Sequence, residues 1–182
     1  MPSPCDPRNA PAGDVGAALM MIDSRLRTVY AGRTGPDAEQ EALIEQFAAS
    51  MDSDDADALL DGACTLVYMY MCWLKQAYAD HGKDVIESVV PSFVATLGMM
   101  PRSVPREAIP TMTGLVVAAG TGLSPSLWRL QYGYWTEPEI KPLEVTAFLL
   151  AEHINRLTDD REFATRMIAD ALSGAEASAE QG

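Results

Sequence analysis

The stretch LVYMYMCWL, Leu66 to Leu74, is nine apolar or aromatic residues in succession. It lies in a segment that opens with Asp54, Asp55, Asp57 and Asp61 and closes with Lys75 and His81, before Gly82. Acids first and bases last suit a helix dipole, and glycine suits the stop. The pattern predicts one helix over 54–81. A helix with no polar face in its middle is surrounded on every side. The chain therefore has to supply other helices to cover it.

Those covering helices are legible. Asp14 is placed to cap a first helix in which Val15, Leu19, Ile22, Leu26 and Val29 step by four and three. A second seam of the same kind, Leu143, Ala147, Leu150, Ile154 and Leu157, marks a helix beginning near Thr136 to Pro142. Both seams have the 3.5-residue period of a pairing face. Further helices are predicted over 37–50, 84–100, 111–119 and 124–133, with a last one opening at Thr158-Asp159-Asp160. Pro91 is expected to kink or split the 84–100 helix. Ser124 followed by Pro125 is a firm helix start. The predicted fold is all-α, an irregular bundle of about seven to eight helices around the central one.

Pro2, Pro4, Pro7 and Pro11 make residues 1–13 an expected disordered arm, and SGAEASAEQG makes 173–182 an expected loose acidic tail. Residues 14–172 read as a single helical domain, which 182 residues in all can build without disulfide or metal.

Charge narrows the partners. The net charge is −13, which repels phosphate backbones and anionic membranes. Nucleic acid and membrane are thus not expected partners; a basic protein is. Nine of the 26 acids, and no Lys or Arg, fall between Asp37 and Asp61. Such a block is either a solvated face or a docking field for a basic surface.

Cysteine usage points to a reducing compartment. Cys5, Cys64 and Cys72 are odd in number, and Cys64 and Cys72 on one helix would stand about 12 Å apart along its axis, too far to pair. The first residues lack the apolar core of a secretory signal, and no apolar run reaches the ~18 residues of a membrane span. The expected location is the cytoplasm.

Candidate chemistry dissolves on inspection. The acids of DSDDADALLD, 52–61, miss the calcium loop because Ala56 and Asp57 stand where a ligand and the turn glycine belong. They miss a diphosphate-binding Asp pattern because Ala58 replaces the last acid. Glu41 and Glu45 with Asp54 and Asp57 only loosely imitate the paired carboxylates of helical pyrophosphohydrolases. GTG at 120–122 lacks the third glycine of a dinucleotide loop, where Pro125 stands. Two histidines, His81 and His153, rule out histidine-rich metal sites, and a Cys72–His153 pair has nothing further to support it. No metal and no cofactor are expected.

What remains is aromatic. Trp128, Arg129, Tyr132, Tyr134 and Trp135 fall within eight residues, the composition of an interface hot spot. Trp128 and Tyr132 are expected to share a helix face, with Tyr134 and Trp135 in the connector beyond Gly133. Tyr68, Met71 and Cys72 are the candidate lining of an apolar pocket. The sequence reading is a non-enzymatic cytoplasmic protein of regulatory or adaptor type, acting through a protein partner. It is expected to form a homodimer through one of the 3.5-period seams. The alternative is a small-molecule-binding protein with a Tyr/Met-lined pocket.

Overall fold

Residues 1–33 and 53–182 are described by a computed structural model. The helix predicted over 37–50, and with it Glu41, Glu45 and most of the acidic block, lies outside the described residues. Within them the chain is all-helical. Seven α-helices follow in order: α1 Val15–Tyr30, α2 Ser53–Ala79, α3 Val85–Gly98, α4 Ile109–Gly120, α5 Pro125–Leu130, α6 Glu137–Thr158 and α7 Phe163–Glu180. None of them is long and apolar enough to cross a membrane.

Helix α2 is the centre. It packs against α1, α4, α5 and α6. Leu66, Val67, Tyr70, Met71 and Leu74 are fully buried, while Tyr68, Met69 and Trp73 are half-buried and Cys72 is exposed. The covering helices begin where local chemistry starts them. The Asp14 carboxylate accepts from Ala17 N, the Asp84 carboxylate from Ile86 N and Glu87 N, and Ser124 Oγ from Leu127 N. Each satisfies amides that a helix start leaves without partners.

The two seams are used inside the chain. Val15, Leu19, Ile22 and Leu26 are buried, as are Leu143, Ala147, Leu150 and Ile154. Only their last members, Val29 and Leu157, are exposed. Neither seam is free to pair with a second copy. A 3.5-period stripe specifies a helix partner but not whose helix it is, and here α1 and α6 meet α2 and each other.

Several details differ from expectation. Pro91 neither splits nor ends its helix: α3 runs unbroken through it. Pro91 faces solvent, and so does Glu87, whose carbonyl loses its amide partner. Val89, Phe93 and Leu97 bury the opposite side. The sequence around Asp159 closes α6 rather than opening α7, because Asp159 takes the left-handed conformation, φ 51°. Buried Asn155 then caps α7 from across the turn, accepting from Ala164 N at 2.8 Å and donating to the Tyr30 hydroxyl at 3.0 Å.

Residues 1–13 lie against the bundle. Asp6 caps a short 3-10 turn, Pro7–Asn9, and Cys5 is buried. At the other end, α7 continues to Glu180, since Ala and Glu are strong helix formers; from Ser173 onward it is exposed throughout.

Candidate functional site

Helix α5 is only six residues long. The chain leaves it at Leu130, turns at Gly133 with φ 105°, and enters α6 through Thr136. Thr136 and Glu139 form a capping box: each side chain satisfies the other's backbone amide. The corner between the two helices is thus defined at both ends by short-range sequence signals.

Arg129 fastens it from beneath. The sequence places it among the exposed aromatics, but it is only 4% exposed. Its Nη1 donates to the Gly133 carbonyl at 3.0 Å, and its Nη2 to the Tyr134 carbonyl at 3.0 Å. Nη2 also reaches both oxygens of Glu139, at 3.0 and 2.7 Å. Its guanidinium lies 5.1 Å from the centre of the Trp135 ring, within cation–π range. Nε is buried and has no partner. Burial by itself would raise the Glu139 pKa; the hydrogen bonds from Arg129 and Thr136 and the Arg129 charge outweigh it and leave it lowered.

Trp128 is half-buried against α4. Gly114 makes room for it, because a Cβ there would collide with the Trp128 ring. Trp128 in turn supports Tyr132, ring centres 5.2 Å apart. What is presented outward is Tyr132, 69% exposed, and Tyr134, 90% exposed. Leu130 and Ile140 flank them and are also exposed. Of the five residues singled out from sequence, Trp128, Arg129 and Trp135 form the support and the two tyrosines the surface. Glu139, Leu130 and Ile140 went unread. The capping-box spacing Thr136-Glu137-Pro138-Glu139 was the signal available for the first; nothing in the sequence marks the other two.

Two of the three pocket residues, Tyr68 and Cys72, interact on the outer side of α2, and Met71 does not join them. Met71 is wholly buried, with its methyl against the Gly120 position. Cys72 lies on the outside of α2. Tyr68 alone lines a cleft, an open one of about 360 Å³ shared with Ser3, Asp6, Pro7, Arg8, Gly122 and Leu123. Residues i and i+4 share a helix face, which joins Tyr68 to Cys72, while Met71 is rotated about 100° from Cys72 and enters the core.

A second polar group sits below α5. Ser126, itself buried, bonds the Asp61 carboxylate of α2. Burial raises the Asp61 pKa, with the Ser126 hydrogen bond opposing and Asp57 adding to the rise. Asp61 is therefore more than a helix-dipole acid: it ties α2 to α5. The neighbouring Cys64 thiol is pushed far up by complete burial, so it is not a thiolate nucleophile. His153 stands apart at the far end of α2, its Nε2 3.0 Å from the Tyr78 hydroxyl, and its pKa is lowered by burial and by Arg156.

No protein-family model matches this chain, and no characterised protein or solved structure matches it.

Proposed function

We propose that the protein is a cytoplasmic interaction module, without chemistry of its own, that binds a protein partner through the α5–α6 corner. The observation that carries this reading is the exposure of Tyr132 and Tyr134 on a backbone held from beneath by buried Arg129. An aromatic pair on a rigid loop loses little entropy on binding, and tyrosine is enriched among residues that dominate interface energies. The partner is a protein with an apolar recess for the tyrosines and a basic surround, matched to the net charge of −13. Three free cysteines suit a reducing cytoplasm.

The test compares wild type with the Tyr132→Ser/Tyr134→Ser variant. A photo-crosslinker placed at Leu130 should trap a defined basic protein in extracts of the source cells, more weakly at high salt, and the variant should trap none. Sedimentation run alongside reports self-association. If wild type and variant trap the same proteins and both sediment as monomers, the corner is not a docking site. A dimer abolished by the variant would make a second copy of the chain the occupant.

A further inference from the structure

We propose that residues 1–14 are a detachable strap that holds the α5–α6 corner in its presenting geometry. The proposal rests on the docking reading only for its consequence; its physical basis is separate. Three ties hold the strap, and all use its backbone. Asp14 N donates to the Ala58 carbonyl of α2 at 2.7 Å, and the Ala12 carbonyl accepts from Thr65 Oγ1 of α2 at 2.8 Å. The Cys5 carbonyl accepts from Ser124 N at 2.8 Å. Ser124 is the N-cap of α5, so the strap fixes the residue from which that helix starts. The helix so fixed carries Trp128, Arg129 and Leu130.

The strap crosses α2 at a glycine pair. Gly13, φ +70°, has no room for a Cβ against Gly62, Ala58 and Asp61, and Gly62 has none against the backbone of Asp14. One turn of that crossing also contains Asp61, which bonds Ser126 of α5. The same short stretch of α2 therefore receives both the strap and the corner's supporting helix.

The strap is also built to leave without the core. Of its side chains only Cys5 is buried, at 4% exposed. Asp6 and Arg8 pair with each other rather than with the bundle. A segment with few buried contacts opens at far lower free energy than the helices it crosses. Lifting it removes the acceptor for the Ser124 amide, loosens α5, and disperses the tyrosine pair.

Gly13→Val and Cys5→Asp, each in the full chain, test this. The first cannot adopt the crossing conformation, and the second puts a carboxylate where a thiol is buried. Both changes lie outside the seven helices. Amide exchange measured by NMR should rise about tenfold or more at Ser124 and across 126–131, with proteolysis increasing within 1–13. Amides of 66–74 should keep wild-type protection. The proposal is overturned if the strap becomes protease-sensitive while α5 exchange is unchanged, if 66–74 loosens along with it, or if neither variant frees the strap. None of these readouts uses a partner. A Tyr132→Ser/Tyr134→Ser variant that still binds would end the docking reading and leave the strap result standing.

Discussion

The middle of α2 and the α5–α6 corner draw on the same residue types and put them to opposite use. Each has two tyrosines and at least one tryptophan close together in sequence. In α2, Tyr70 is fully buried and Tyr68 and Trp73 half-buried. At the corner, Tyr132 and Tyr134 are the exposed members. The difference lies in what surrounds them. A 27-residue helix meets neighbours on several sides, whereas the six-residue helix packs, among the described residues, mainly on α2 and α4. At the corner a buried polar residue, Arg129, shares the anchoring with Trp128 and Trp135. Aromatic density alone does not separate core from interface.

Arg129→Ala is expected to have the largest effect. It leaves the Glu139 carboxylate with only the Thr136 amide and takes the donor from two carbonyls, and breaking a buried pair costs about 3–5 kcal/mol. Chemical denaturation measures it. A loss below ~1 kcal/mol would mean that the corner is not held by Arg129 and would erase the contrast with α2.

Leu74→Ala follows. Leu74 is fully buried in α2, and such truncations cost roughly 2–5 kcal/mol. A mild effect would show that the centre of α2 is less enclosed than its neighbours make it.

Acid should separate the two regions in order. His153 has a folded pKa below its ordinary 6.5, so its contribution is present above pH 6.5 and lost as pH falls through the folded value. Once the ring is protonated, Nε2 can only donate toward the Tyr78 oxygen. Glu139 is lowered from 4.5, so its contribution is present above pH 4.5 and lost only as pH falls through its own folded value. Side-chain NMR during an acid titration should register Tyr78 before Trp135. The reverse order would break the assignment of Glu139 as the carboxylate holding the corner.

The smallest effect belongs to the exposed pair. Tyr132→Ser and Tyr134→Ser should each change stability by no more than about 0.5 kcal/mol. A larger loss from Tyr134→Ser would place that ring among the structural residues.

Much of the fold was legible because its signals are local. Asp14 and Ser124 cap helices where their sequence positions say they should, and the apolar run of Leu66 to Leu74 demanded a central helix. The corner was half legible. The density of aromatics marked the segment, and Gly133 marked its turn, but the burial of Arg129 depends on carbonyls and a carboxylate that only the folded corner brings together. The pocket reading kept Tyr68 and Cys72 together on the outer face of α2 but lost Met71, because spacing along a helix does not say which of its faces the core will take. The placement of the arm was not legible because proline content reports on a chain alone, whereas Gly13 meets α2 at Ala58, Asp61 and Gly62 and Cys5 meets Ser124.

The sequence by itself determined most of the helices, the caps at Asp14 and Ser124, the centrality of α2 and the acidity of the whole, since each follows from residues within a turn or two of one another or from composition. Only the tertiary structure decided which apolar seams were used internally, which side of the aromatic segment faces water, and that the arm ties α2 to the start of α5. Those outcomes depend on contacts between residues far apart in the chain, and period and spacing carry no record of which distant surface fills a given face.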